Sequence, residues 1–174
     1  MTSNWALPTT VIQYADPDAD DHHVSWVDVD NFNAIKYTDA RSIKTARDLL
    51  HIAKQPKYDL VEKTYFLKTT GFNFTSLPET LSGIELRLTM QRNGRISDET
   101  IQLCLDNDLV GDNQTNSGLN PIKIYGNETN IWNTNLTIAN IQHPTFGVVL
   151  RFKSHPDWPH KSTAFIECVE LRVH

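Results

Sequence analysis

Apolar and polar residues alternate most cleanly along GIELRLTMQRNG. Ile84, Leu86, Leu88 and Met90 fall on one side, and Glu85, Arg87, Thr89 and Gln91 on the other. Period two with one apolar face predicts a strand in a half-buried sheet, and Asn93-Gly94 then signals a turn. The same period recurs downstream. Ile101, Leu103 and Leu105 alternate with Gln102, Cys104 and Asp106, and Asn107-Asp108 turns the chain into a return strand at Leu109-Val110. GDNQTNSGLNP is a loop of turn formers, and Ile122 and Ile124 indicate a short strand. Upstream, YFLKTTGFNF is strand-like, and LPET turns the chain at Pro78. Near the end, Phe146, Val148, Leu150 and Phe152 share a face, as do Phe165, Val169, Leu171 and Val173. Glu167 interrupts that last face. A lone buried carboxylate is costly, so it sits at a bulge or against a buried partner.

Helical spacing is confined to two places. Ile43, Ala46, Leu50 and Ala53 recur within TDARSIKTARDLLHIAKQP, which predicts a short helix capped at Thr38 or Asp39 and ended by Pro56. The TIAN stretch at Thr137–Asn140 fits a single helical turn. Many short strands with turn signals between them predict a mainly β chain: an antiparallel, jelly-roll-like β-sandwich with a polar N-terminal arm. Residues 1–25 are the expected arm, too polar for a core of their own, and 26–174 the single sandwich domain.

Composition adjusts this picture little. At 174 residues the chain is long enough to bury a core without metal or disulfide staples. A formal charge of -5 argues against a nucleic-acid partner, which would call for basic patches. No run approaches the roughly 18 apolar residues of a spanning helix, and no secretory signal is visible. Cys104 and Cys168 both fall in strands and read as two buried free thiols. Asn73, Asn113, Asn127 and Asn135 each open an Asn-x-Ser/Thr triplet, which the Asn/Thr-rich composition explains.

Candidate chemistry is thin. Asp16, Asp18 and Asp20 have the opening spacing of a calcium loop, but Asp21 and Val27 stand where such a loop needs Gly and Glu. His22 and His23 would point to opposite faces of a strand. His143, His155 and His160 sit beside prolines at no zinc-ligand spacing. Ser154, His155 and Asp157 lack a nucleophile turn, and no phosphate-cradling glycine motif occurs. The chain therefore reads as non-enzymatic, with no catalytic, metal-binding or cofactor-binding residue and no cofactor. Trp26 and Trp132 are expected to cap the sandwich core. The run SHPDWPH reads as the tip of a closing hairpin, and His155, Asp157, Trp158 and His160 form a candidate interface loop.

One longer pattern carries a resemblance. LKTTGFNFTSLPETLSGIELRLTMQR, then VGDN, YGNETNIWNTNLTIANI, FGVVL and AFIECVELRV, follow one another in the order of a β-sandwich module of tailed-bacteriophage structural proteins. The upstream WVDVDNFNAIKYTD is similar to that module's opening segment, so the resemblance spans Trp26 to Val173. Its anchors are Gly71, Phe72, Gly83, Ile84, Trp132, Phe146 and Gly147, with departures at 40–63 and 155–160. The resemblance implies a virion protein of the head, neck or tail, assembled in the host cytoplasm. It would form a homo-oligomer and contact other virion proteins such as capsid, portal or tail components, with no membrane. The alternative is a host-receptor or glycan-binding module of a fibre or spike, with an aromatic platform at Trp158 or Trp132.

Overall fold

The computed structural model describes residues 2–17, 23–24, 48–52, 63–93, 95–118, 120–154 and 162–174. The strands are β1 (Thr10–Tyr14), β2 (His23–Val24), β3 (Asp48–Ile52), β4 (Lys63–Thr64), β5 (Phe66–Thr70), β6 (Ile84–Asn93), β7 (Ile96–Leu105), β8 (Asp108–Val110), β9 (Ile122–Asn127), β10 (Gly147–Ser154) and β11 (Ser162–Val173). One short helix, α1 (Ile138–Ile141), lies between β9 and β10.

Two sheets result. The first runs β1-β5-β10-β7-β8, with β4 also on β10 and β2 beside β4; the second runs β3-β11-β6-β9. All pairs are antiparallel except β2 with β4. The pairing is nested: β7 with β8, β6 with β9, β5 with β10, and β3 with β11. That is a long hairpin rolled into two layers, the connectivity of a jelly roll. Alternation dictates why. Each strand has one apolar face, and only a partner sheet can cover it. Leu67, Ile101, Leu103, Val148, Leu150 and Phe152 of the first sheet and Ile84, Leu86, Leu88, Met90, Ile166, Val169 and Leu171 of the second form one buried cluster.

Several expectations from the sequence hold. β6 buries its four predicted residues. β7, β8 and β10 lie where the alternation places them. Thr137 caps α1 in a reciprocal box with Asn140. Trp132 is fully buried, and its indole Nε1 donates to the Ile84 carbonyl at 2.9 Å. Cys104 and Cys168 are free buried thiols in different sheets.

Others are corrected. The helix expected around 38–56 is not formed at Asp48–Ile52, where DLLHI is instead a strand paired to the outer edge of β11. Backbone pairing to that edge outweighs a weak helical period; the rest of that stretch lies outside the described residues. The bulge offered for Glu167 is present, as a register shift between Ile166 and Cys168, but the face expected around it changes. The bulge turns Ala164 and Ile166 inward with Val169, while Phe165 leaves the core face. β10 and β11 lie in opposite sheets, so the last two strands are not a hairpin. Alternation reveals which face of a strand is apolar, not which strand it pairs with. The described residues of the expected arm belong to the sandwich. Ala6 bridges Leu171, and β1 pairs with β5, so the N-terminal segment straddles one open side of both sheets.

Candidate functional site

The proposed interface residues His155, Asp157, Trp158 and His160 lie outside the described residues. The other histidine of that set, His143, is exposed. Its Nδ1 meets Thr145 Oγ1 at 2.7 Å, and Thr145 Oγ1 donates to Asp106 Oδ1 at 2.8 Å. Asp16, the first aspartate of the calcium-like run, is held by Arg151 Nη1 at 2.8 Å. Among the described residues no three metal-ligating side chains converge.

A shallow concavity lies on the outer face of the first sheet. Outward residues of β1 and β8 stand as walls: Ile12, Tyr14 and Leu109 are 48%, 36% and 43% exposed. Val149 of β10 and Cys104 of β7 form a buried floor, with Lys68 and Asn107 supplying polar groups. The groove encloses about 330 Å³. Tyr14 stacks on Phe66 with ring centroids 5.1 Å apart, and the Arg151 guanidinium lies 4.4 Å over the Phe66 ring. The Lys68 ammonium donates to the Asp106 carbonyl. Burial raises the Tyr14 phenol above its ordinary range, and the Asp16 carboxylate adds to it. Burial pushes the Cys104 thiol up to about 12, so it stays protonated and unreactive near neutral pH. This groove can hold an apolar or aromatic body. No group described in it is poised as a nucleophile beside a base.

A second feature is buried between the sheets. Asp98 of β7 faces β6 and β9. Its Oδ2 accepts from Lys123 Nζ at 2.7 Å, Tyr125 Oη at 2.9 Å and the Asn116 amide at 3.2 Å, and its Oδ1 accepts from Arg92 Nη2 at 3.1 Å. The Asp98, Lys123 and Arg92 side chains are 1%, 4% and 7% exposed. Burial lowers the Lys123 ammonium below its usual range, and the Asp98 carboxylate only partly restores it. Burial also raises the Tyr125 phenol, with the Asp98 charge adding to the effect. This network joins the two sheets and fixes which way β9 faces.

That facing is the reverse of the usual pattern. Lys123 and Tyr125 point inward, while Ile122 and Ile124 are 55% and 50% exposed. The sequence signalled the strand but not its orientation. A hint was present: Arg92 continues the apolar face of β6, and an inward arginine demands a carboxylate partner. The groove had no such signal, because its walls, Ile12 and Tyr14 of β1 and Leu109 of β8, come from two strands far apart in the chain.

No family model matches this chain, and neither a curated protein nor a solved structure does.

Proposed function

We propose that this chain is a non-enzymatic structural component of a tailed-bacteriophage particle, acting through repeated protein–protein contacts in the head, neck or tail. The observation that carries the reading is where the anchors of the resemblance fall. Ile84, Trp132 and Phe146 are fully buried, and Phe72 nearly so. A side chain at Gly83 would collide with the backbone of Asn127 and Glu128, and one at Gly147 with the backbone of Thr69. These anchors therefore serve one purpose, closing the two layers over a shared core, and they specify a scaffold rather than a catalytic centre. Fold alone does not carry function. The assignment to a phage particle rests on the ordered sequence resemblance, and the jelly roll is compatible with it.

The test is quantitative mass spectrometry of purified particles from the phage that encodes the chain. The expected result is many copies per particle. Recovery solely from the soluble fraction of infected cells overturns the reading.

The glycan-binding alternative is narrowed by one observation. Trp132 is buried, so it offers no platform, and Tyr14 over Phe66 is the exposed aromatic pair beside a groove. Glycan-array binding that is lost in Tyr14→Ala would favour that alternative.

A further inference from the structure

We infer that the outer edge of β11 at Leu171 and Val173, with the Arg87 and Arg172 guanidiniums beside it, is a recognition site for an extended, tryptophan-bearing peptide strand, and that residues 3–6 of the same chain fill it as a releasable strap. The inference stands apart from the particle reading, since it concerns the purified chain alone.

The first ground is the occupant, which is in place. Ser3 and Ala6 donate backbone bonds of 2.8 Å to the Val173 and Leu171 carbonyls, and the Leu171 amide donates back to the Ala6 carbonyl at 3.0 Å. Ser3 Oγ accepts from the Val173 amide at 2.9 Å. This is strand addition to a sheet edge, where backbone bonds supply affinity and side-chain sockets supply selectivity. The socket here takes Trp5. The Arg87 and Arg172 guanidinium carbons each lie 4.4 Å from its ring, in cation–π contacts for which an indole is the best ring.

The second ground is that the seat is built without the strap. β11 pairs with β6 along its opposite edge, from Thr163↔Asn93 to Val173↔Ile84. The same two strands fix the guanidiniums. Glu170 holds Arg87 at 2.5 and 2.7 Å, and Glu85, which His174 Nε2 also meets at 2.8 Å, holds Arg172. Each ion pair joins β6 to β11 and owes nothing to the strap. When Trp5 leaves, both arginines stay paired, and the socket is preorganised for the next indole.

The third ground is the small cost of release. Trp5 is only partly buried, Thr2 and Asn4 are exposed, and Ala6 is the one strap side chain in the apolar core cluster. Asn4 Oδ1 accepts from the Thr75 amide and hydroxyl at 2.9 and 2.8 Å, and Thr2 meets His174, but these bonds are exposed to water. A segment with so little buried apolar surface opens locally, without unfolding the sandwich. The opening stops at Leu7 and Pro8, because the Thr9 amide is bonded to the Thr70 carbonyl at 3.0 Å and β1 pairs with β5 in the other sheet.

The test uses the full chain and a fluorescently labelled peptide, Thr-Ser-Asn-Trp-Ala-Leu-Pro, the sequence of residues 2–8. In the parent chain the strap competes with it at the high effective concentration of a short tether. Trp5→Ala loosens the strap, so fluorescence anisotropy should show the peptide binding this variant roughly tenfold more tightly than the parent. A peptide with alanine in place of its tryptophan should bind the variant roughly tenfold more weakly. Hydrogen exchange on the unmodified chain gives a second reading that does not depend on how the variant folds. The Ser3, Ala6 and Leu171 amides should exchange at least about tenfold faster than those of β6, which lies between two strands. No saturable binding to the variant up to about 1 mM peptide, equal binding to parent and variant, indifference to the peptide's tryptophan, or strap amides that exchange only at the rate of β6 each overturns the inference.

Discussion

β6 and β9 are hydrogen-bonded neighbours with the same alternating pattern, yet they face opposite ways. β6 buries Ile84, Leu86, Leu88 and Met90 and turns Glu85 and Arg87 to the outer face, where both are partly covered. β9 buries Lys123 and Tyr125 and shows Ile122 and Ile124. The inner residues of β6 join the apolar cluster shared by the two sheets; Tyr125 of β9 joins it too, but its hydroxyl and the Lys123 ammonium both end on the Asp98 carboxylate. Periodicity is a local property of a strand. Facing is decided by what waits across the sandwich, and a single buried carboxylate suffices to reverse it.

The sharpest way to break this contrast is to remove that carboxylate. Asp98→Ala leaves Lys123 and Arg92 buried without a counter-charge, and unfolding in urea should show a loss of about 3–5 kcal/mol. Leu88→Ala strikes the apolar counterpart on β6 and should cost about 2–5 kcal/mol through lost burial and a residual cavity. If Asp98→Ala proves the milder by a wide margin, the polar network does not hold β9 in place.

How much was legible follows from the same contrast. The strand positions from 84 to 110 and from 146 to 173 could be read, because alternation runs through most of each, although the bulge at Glu167 breaks the period of β11 and with it the expected place of Phe165. The cap of α1 was legible because Thr137 and Asn140 satisfy each other locally. What could not be read depends on residues far apart in the chain. The Asp98 network draws on β6, β7 and β9, and the groove walls come from β1 and β8. DLLHI reads as part of a helix until β11 offers it an edge. The interface loop at His155, Asp157, Trp158 and His160 was singled out on composition. The described structure directs attention instead to Ile122, Ile124, Tyr14 and Leu109, ordinary residues made notable by exposure.

A smaller effect probes the outward polar face of β6. Burial raises the Glu85 carboxyl, but hydrogen bonds from His174 and Arg172 outweigh it, so the group sits below its ordinary range. A carboxylate depressed in the folded state adds stability above its unfolded pKa and loses it as pH falls through the folded value. Glu85→Gln should therefore be less stable than the parent at pH 7, and the gap should close as the medium is acidified below about pH 4. Chemical denaturation at a series of pH values reads this directly. A gap independent of pH would mean that Glu85 acts through packing rather than charge.

The smallest expected effect is also the most direct test of facing. Ile124→Thr keeps β-branching and strand preference while replacing the ethyl arm by a hydroxyl. With Ile124 half exposed, the monomer should change by no more than about 0.5 kcal/mol, as surface substitutions generally do. Were β9 to follow the rule of β6, the same hydroxyl would enter the core without a partner and cost about 1–3 kcal/mol. This one substitution separates the two orientations. A large loss would place Ile124 inside, and with it would fall the role of Asp98 as the group that reverses the strand.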